Sequence, residues 1–174
     1  MPEKKQIAQK AAQWLKNGQK ILLDGSSTVT FLLPYIAQLE SATLFTNNIL
    51  TAAAAIQLGI NTRCIGGASV NGSPALLGAE ACKTVAGLYA DILFFSSQSI
   101  DKNGTITDST EEENYLRFLM LSAAKKRVFL CDSSKFNRRS PFTLTRLAQV
   151  DAFVFDTPFA ALQSRAESTP PAKG

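Results

Sequence analysis

Residues 21–28 read ILLDGSST, an apolar run that turns polar and leads directly into a helical pattern. A short apolar run in this position predicts a buried strand. Gly25 lets the backbone turn after that strand, and Ser26, Ser27 and Thr28 supply hydroxyl donors. Together with the unpaired amides at the start of the next helix, these groups suit an oxyanion. The alternative is that the same residues only cap the helix.

Short apolar segments alternate with helical patterns along the rest of the chain. We predict strands over residues 20–24, 43–46, 61–65, 91–95, 127–131 and 153–155. We predict helices over residues 5–17, 25–39, 48–58, 77–86 and 110–125. Pro34 is expected to kink or divide the second helix, and the polar residues 96–109 are expected to form a loop. This alternation indicates an α/β fold, Rossmann-like, with a mostly parallel central sheet flanked by helices.

The length of 174 residues is that of one domain. We predict a folded domain over residues 1–157 and a short, partly disordered C-terminal extension over residues 158–174. The extension is expected because the composition beyond Pro158 turns to Ala, Ser, Thr, Pro and Lys.

The composition excludes several kinds of chemistry. The sequence has no histidine, which rules out Ser-His-Asp and Cys-His catalysis and zinc sites built on imidazole. The three cysteines form no C-x-x-C pair, and we predict buried, reduced thiols and no metal site. Neither a P-loop nor a G-x-G-x-x-G motif occurs, so nucleoside triphosphates and dinucleotides are not indicated and no cofactor is predicted.

The charge and hydropathy patterns bound the location and the partners. The 18 basic and 14 acidic residues give a net charge of +4, and the basic residues are mostly scattered. No helix-turn-helix pattern is visible, so this chain is not expected to contact DNA by itself. No apolar run is long enough to span a bilayer, and the charged N-terminus lacks a secretory signal. We therefore predict a cytoplasmic protein without a membrane partner.

Five predicted strands end in small or polar residues. These ends are Asp24 to Thr28, Thr46 to Asn48, Gly66 and Gly67, Ser96 to Ser99, and Asp132 to Lys135. In parallel α/β sheets, ligands bind just beyond the carboxyl ends of the strands. The five ends therefore predict one polar pocket at one edge of the sheet.

Each group in this pocket has a candidate role. The hydroxyls after the first strand, with Lys135 as counter-charge, are predicted to hold a phosphate. Asn47 offers a donor and an acceptor for sugar hydroxyls, or else caps the next helix. Gly66 and Gly67 form a turn or let the backbone approach a ligand. The carboxylates between residues 101 and 113 are candidates for acid–base catalysis, for binding sugar hydroxyls or for capping a helix.

The order of these motifs resembles that of one protein family. The matching segments are residues 21–28, 46–48, 65–67, 90–92, 100–107, 112–113 and 128–136. The segment Asp-Ser-Ser-Lys-Phe, residues 132–136, is the most distinctive, because it follows a Glu-rich helix as it does in the family. Over residues 5–156 the sequence resembles the C-terminal effector-sensing domain of the DeoR family of bacterial transcriptional repressors.

That resemblance implies a fold shared with ribose-5-phosphate isomerase and glucosamine-6-phosphate deaminase. It also implies a sensor that binds a phosphorylated sugar or a sugar-like metabolite. In the family, a winged helix-turn-helix precedes this domain and the effector releases the repressor from operator DNA. Because that module is not seen here, the chain is expected to be an isolated or truncated sensor, and a homo-oligomer, either a dimer or a tetramer.

The resulting prediction is a sugar-phosphate sensor domain with no catalytic and no metal-binding residues. Its predicted ligand-binding residues are Asp24, Gly25, Ser26, Ser27, Thr28, Asn47, Gly66, Gly67, Gln98, Asp101, Glu112 and Lys135. The chain has Gln98 where the family commonly has a small, glycine-containing segment, and this difference is expected to alter the pocket. The main alternative is a sugar-phosphate isomerase or deaminase that uses carboxylates as acid and base. A weaker alternative is an interaction module whose pocket is vestigial.

Overall fold

The computed structural model describes residues 1–160 and 162 and is built on a six-stranded parallel sheet. The strands are β1 (Lys20–Leu23), β2 (Thr43–Thr46), β3 (Asn61–Cys64), β4 (Ala68–Ser69), β5 (Leu76–Leu77), β6 (Ala90–Phe95), β7 (Ser99–Ile100), β8 (Thr105–Asp108), β9 (Ala124–Cys131), β10 (Phe142–Arg146) and β11 (Ala152–Phe155). The large sheet has the order β11-β9-β6-β1-β2-β3, and all its neighbouring strands are parallel. The predicted α/β fold with a parallel central sheet is confirmed.

The central strands are apolar at consecutive positions because both faces of the sheet are covered. In β1, Leu22 contributes to the core on one face, while Ile21 and Leu23 contribute to the core on the other. The same alternation continues in β6, where Leu93 and Phe94 belong to opposite cores. Side chains in a strand alternate between the two faces, so a run of apolar residues fills both cores at once.

Helices cover both faces of this sheet. They are α1 (Pro2–Ala11), α2 (Leu33–Ile36), α3 (Ile49–Gln57), α4 (Ala79–Ala86) and α5 (Glu111–Ser122). Buried residues of α1, α2 and α3 belong to one core, and those of α4 and α5 belong to the other. None of the helices in the described part of the chain has the length and apolar character needed to cross a membrane.

The strand order creates a reversal point between β1 and β6. From β1 the chain first builds outward to β2 and β3, and then returns to place β6, β9 and β11 on the other side of β1. Loops from β1 and β6 therefore leave in opposite directions and open a crevice at the carboxyl ends of these strands. This is where open α/β sheets bind ligands.

The predicted boundary near Pro34 is confirmed, because a 3-10 helix over Val29–Leu32 comes before α2. Pro34 lies in the first turn of α2, where its missing amide costs no helical hydrogen bond. One prediction about local structure was wrong: the segment 96–109 is not a plain loop, because it contains β7 and β8.

Strands β7 and β8 form an antiparallel sheet with β10, in the order β10-β8-β7. The sequence of β8 is Thr-Ile-Thr-Asp, which looks polar although all four residues are buried. Its threonines and isoleucine are β-branched and favour a strand. Because β8 and β10 contact α5, the small sheet brings Asp108, at the end of β8, towards the main sheet.

A hairpin over residues 68–77, which we call the flap, joins β4 to β5 beside the crevice. It follows Gly67, whose backbone φ of 144° is rarely adopted by residues that have a Cβ. A Cβ at Gly67 would lie 2.6 Å from the Leu77 carbonyl oxygen. By contrast, a Cβ at Gly66 would meet nothing within 4 Å. Gly67 thus allows the two ends of the flap to pack together.

We expect Gly67→Ala to lower the free energy of unfolding by about 1–3 kcal/mol, because it adds both backbone strain and a backbone clash. Gly66→Ala is the matched control and should change it by less than about 0.5 kcal/mol. Urea unfolding of both variants measures the difference. Equal stabilities for the two variants would show that the flap does not need this close approach.

The remaining local predictions have mixed outcomes. Cys131 is buried as predicted, whereas Cys64 is exposed because β3 lies at the edge of the sheet. Most of the predicted C-terminal extension, residues 158–174, lies outside the described residues.

Candidate functional site

The crevice between β1 and β6 is organised around the buried carboxylate of Asp24. Asp24 Oδ1 accepts hydrogen bonds from the amide of Ser26 at 3.1 Å and from its hydroxyl at 2.6 Å. Asp24 Oδ2 accepts one from the amide of Ser96 at 3.2 Å. The loops after β1 and β6 are thereby joined through one side chain, and the hydroxyl of Ser26 points inward to Asp24.

Arg117 of α5 bridges two buried carboxylates. Its Nε donates to Asp24 Oδ2 at 2.8 Å, and its Nη1 donates to Asp108 Oδ1 at 2.7 Å. Burial would lower the pKa of the guanidinium, but Asp24 and Asp108 outweigh it and hold the pKa above its ordinary value. The bridge ties the carboxyl end of β1 to the end of β8, and so ties the antiparallel sheet to the crevice.

Sequence reasoning missed Arg117, although the chain carried a signal for it. Leu116 and Met120 lie on the buried face of α5, and Arg117 is next to them in that apolar stripe. A charged residue on a buried helix face is rare unless a partner of opposite charge compensates it. The partners, however, come from positions 93 and 9 residues away, which only the fold brings together.

The sequence left open whether Asn47 caps the next helix or binds a ligand, and the structure shows that the cap is Asn48. Asn48 caps α3, since its Oδ1 accepts hydrogen bonds from the amides of Leu50 and Thr51, both at 3.0 Å. Asn47 instead donates through Nδ2 to the carbonyl of Leu76 in the flap at 3.0 Å. Its buried Oδ1 has no hydrogen-bond partner among the described residues. Asn47 is therefore free to accept a hydrogen bond from a ligand.

A small cavity of about 10 Å³ lies beside Asn47, under the flap. Its lining residues are Asp24, Gly25, Asn47, Ala75, Leu77, Glu113, Leu116, Arg117 and Met120. The volume is about enough for one water molecule. The cavity is narrow because Ala75 of the flap approaches the backbone of Gly25 closely. Only glycine permits this approach, since a Cβ at Gly25 would lie 2.8 Å from the Cβ of Ala75. We call this space the inner cavity.

A second, larger pocket of about 430 Å³ opens between the start of α1 and the turn after β9. Its lining residues are Met1, Glu3, Lys4, Asp132, Ser133, Ser134 and Lys135. Lys135 Nζ donates to Ser96 Oγ at 3.1 Å, and Lys4 Nζ donates to Ser27 Oγ at 2.7 Å. We call this space the cationic pocket, because two ammonium groups reach it from different elements.

The acidic groups near the cationic pocket are mostly engaged by the chain itself. Asp132 accepts hydrogen bonds from the amide and hydroxyl of Ser134. Asp156 accepts two from Ser133, both at 2.8 Å. Within the described residues, neither Lys4 nor Lys135 forms an ion pair. Two cations held only by hydroxyls make this pocket suited to an anion.

The thiol of Cys131 lies at the end of β9, just before the turn formed by residues 132–135. Burial raises its pKa to about 12; Lys135 opposes this shift, while Asp132 and Asp156 add to it. The thiol is therefore protonated at neutral pH and is not a nucleophile there.

The structure groups some of the predicted site residues. Asp24, Gly25 and Asn47 line the inner cavity, and Lys135 lines the cationic pocket, while Ser27 only accepts a hydrogen bond from Lys4, which also lines that pocket. Ser96 connects the two spaces through hydrogen bonds: its amide donates to Asp24 and its hydroxyl accepts from Lys135. Thr28 is fully buried, and its hydroxyl has no partner among the described residues.

Other predicted site residues lie elsewhere. Asp101 closes the turn between β7 and β8 by accepting hydrogen bonds from the amides of Asn103 and Thr105. Burial would raise its pKa, but these two amides and Arg139 outweigh it and lower the pKa. Asp101 therefore serves the hairpin.

Gln98 and Glu112 are exposed, and the glycine pair serves the flap. The amide of Gln98 donates to Asp108 at 3.3 Å. In the first turn of α5, Glu113 lines the inner cavity while Glu112 points to solvent. Gly66 and Gly67 lie at the base of the flap and line neither the inner cavity nor the cationic pocket.

A third cleft, of about 630 Å³, lies at the opposite edge of the sheet. It is lined by residues 16–19 and by Asp91, Lys125, Lys126 and Asp151, which stand at the amino ends of the strands. Asp91 accepts a hydrogen bond from the Lys20 amide, and Asp151 pairs with Arg127. Because ligands of open α/β sheets bind at the carboxyl ends, we assign the site to the crevice at β1 and β6.

The fold and the site define an α/β domain with a polar crevice at the reversal point of its sheet. Residues 1–157 match the family model described as the DeoR C terminal sensor domain. This chain belongs to that family of sensor domains, as the motifs at its strand ends predicted.

Curated relatives are transcriptional regulators. The chain is 30% identical over 154 residues to the L-fucose operon activator of Haemophilus influenzae, covering 88% of this chain and 61% of the relative. It is 29% identical over 158 residues to the HTH-type transcriptional regulator GolR of Listeria innocua, covering 88% of this chain and 61% of that protein. The chain thus spans about three fifths of the length of the curated relatives it matches.

Among solved structures, the chain is similar to ribose 5-phosphate isomerase from Plasmodium falciparum. The match has a TM-score of 0.54 and 21% sequence identity, and it covers 76% of this chain and 52% of that enzyme. At this identity the similarity shows a shared fold.

Proposed function

We propose that this chain is a sensor domain that binds a phosphorylated sugar in the crevice between β1 and β6. The observation that carries the proposal is that Ser96 connects two spaces of different chemistry through its hydrogen bonds to Asp24 and Lys135. The cationic pocket offers two ammonium groups without carboxylate partners among the described residues, and the inner cavity offers the unpaired Oδ1 of Asn47. A sugar phosphate has one charged end and one hydroxyl-rich end, which fit these two spaces.

The phosphate is assigned to the cationic pocket. Lys135 already points to Ser96 at the end of β6, 3.1 Å away, so a phosphate there would lie beside the carboxyl ends of β6 and β9. The volume of about 430 Å³ lies within the range of small-ligand sites. A charge-assisted hydrogen bond from Lys135 to a phosphate oxygen is stronger than its present bond to a neutral hydroxyl.

The sugar is assigned to the inner cavity and its surroundings. Asn47 and Glu113 supply hydrogen-bonding groups there. Because the cavity holds only about one water molecule, a sugar ring requires Ala75 and Leu77 of the flap to move outward. That movement would break the bond between Asn47 and Leu76, and the sugar hydroxyls would take its place.

The regulatory consequence concerns the longer proteins of this family. We propose that effector binding changes the affinity of an attached DNA-binding module for its operator, in a cytoplasmic homo-oligomer. Support comes from the relatives, one of which is the L-fucose operon activator of Haemophilus influenzae, a regulator of a sugar operon. For the effector to act, it must bind one arrangement of the protein more tightly than another.

Thermal unfolding with a panel of ligands tests this proposal. The panel contains hexose 1-phosphates, hexose 6-phosphates and pentose 5-phosphates, each compared with its free sugar and with inorganic phosphate. At about 100 times its dissociation constant, a ligand of the folded state adds about 2.7 kcal/mol, or roughly 5–10 °C in the midpoint. A shift for one sugar phosphate that its free sugar does not reproduce supports the proposal, and the absence of any shift across the panel contradicts it.

An isomerase or deaminase remains the second candidate because Glu113 lines the inner cavity and has no ion-pair partner among the described residues. The other two carboxylates at this place, Asp24 and Asp108, are both paired with Arg117. Incubation with the sugar phosphate that gives the largest shift decides between the two. Conversion of that compound, lost in Glu113→Gln, would establish an enzyme.

A further inference from the structure

We infer that Lys4, in the first turn of α1, is a second phosphate ligand of the cationic pocket. This inference extends the proposed function by naming a residue outside the strand-end motifs. Lys4 Nζ donates to Ser27 Oγ at 2.7 Å. The same ammonium group is within reach of the cationic pocket, where it would donate to a phosphate oxygen.

The position of Lys4 is set by packing. One helical turn further on, Ile7 and Ala8 are buried against the sheet, with 0% and 1% exposure. Residues three and four apart lie on the same helix face, so the stem of Lys4 points in the same direction as Ile7 and Ala8. Lys4 is half-buried, whereas its neighbour Lys5 is exposed. The packing of Ile7 and Ala8 against the sheet therefore places the ammonium group of Lys4 next to the loop after β1.

Lys4 and Lys135 line one pocket from opposite sources. Lys4 comes from α1 and Lys135 comes from the turn after β9, and each donates to a hydroxyl of a different strand end. Of the acidic groups that line the pocket, Asp132 is engaged by Ser134 and Glu3 is exposed. Neither lysine is ion-paired with a carboxylate of the described residues, so an anion in this pocket could accept charge-assisted hydrogen bonds from both ammonium groups.

The consequence is that phosphate binding is linked to α1. The helix packs against the 3-10 helix that follows Thr28 and against β9 and β11. A phosphate held by both lysines would fix the first turn of α1 to the turn after β9. The first helix then responds to the occupancy of the crevice.

The test uses inorganic phosphate as the probe on the full 174-residue chain. Binding is followed through backbone amide chemical shifts in the chain and in Lys4→Met, Lys4→Arg and Lys5→Met. We expect Lys4→Met to bind phosphate about tenfold more weakly. Lys4→Arg should keep most of the affinity, because it keeps the charge, and Lys5→Met should be unchanged.

The outcomes separate this inference from the proposed function. Equal phosphate affinity in Lys4→Met and Lys5→Met overturns the inference. The absence of phosphate binding to the unchanged chain at about 50 mM phosphate overturns it as well. If phosphate binds through Lys4 but no sugar phosphate binds more tightly than inorganic phosphate, the inference stands and the proposed sugar sensor fails. Midpoints of thermal unfolding within about 2 °C of each other confirm that the variants are folded.

Discussion

Replacing Arg117 with methionine should lower the free energy of unfolding by about 3–5 kcal/mol. The change leaves Asp24 and Asp108 buried and charged without the guanidinium that lies 2.8 and 2.7 Å from them. A lone buried carboxylate costs several kcal/mol, which is more than the loss of an exposed ion pair. Urea unfolding at pH 7 measures the effect.

The matched control is Arg127→Met. Arg127 also pairs with a carboxylate, that of Asp151 at 3.2 Å, but the two side chains are 35% and 41% exposed. Its removal should cost less than about 1 kcal/mol. If both variants lose the same stability, the Arg117 bridge is no stronger than a surface ion pair.

A further measurement identifies buried charge as the cause. Adding Asp24→Asn and Asp108→Asn to Arg117→Met should recover more than half of the lost stability, since no charge is then left unpaired. A triple variant as unstable as Arg117→Met would point to packing instead.

Replacing Lys135 with methionine should weaken sugar-phosphate binding by roughly 10- to 100-fold. This range corresponds to the 1.5–3 kcal/mol of a hydrogen bond to a charged group. Lys135 Nζ lies 3.1 Å from Ser96 Oγ and lines the cationic pocket, where it is proposed to donate a hydrogen bond to the phosphate. Calorimetric titration with the sugar phosphate that stabilises the chain most measures the change.

Lys83→Met is the control for Lys135→Met, because Lys83 is an exposed lysine on α4 and lines none of the three spaces described above. It removes the same charge from the molecule, and so it reports any effect of net charge alone. Its affinity should match that of the unchanged chain. Equal weakening in both variants would mean that Lys135 acts only through the overall charge.

The main sheet could be predicted from the sequence because its strands are buried on both faces. Such strands appear as short apolar runs, and β2 was predicted with the bounds that the structure shows. Strand β8 was missed because half of its buried residues are threonines, which also occur in loops. Strand β8 is buried because it pairs with β7 and β10 on either side. The sequence of residues 105–108 alone does not predict that pairing.

The site could be predicted only as far as the strand-end motifs reach. Because parallel strands end at one edge, Asp24, Asn47 and Lys135 could be expected near one another. The division of labour between Asn47 and Asn48 could not, since it depends on the direction in which each side chain leaves the end of β2. Arg117 and Lys4 were missed because they come from helices, and only tertiary packing brings them to the crevice.

Binding of a phosphorylated sugar in the crevice between β1 and β6 should be visible in backbone amide chemical shifts, recorded while the chain is titrated with the sugar phosphate that stabilises it most. The largest changes are expected at residues 24–28, 47–48, 74–77, 96–97 and 132–135, which form the crevice and the flap. Changes confined to residues 16–19, 91, 125–126 and 151, at the opposite edge of the sheet, would contradict it.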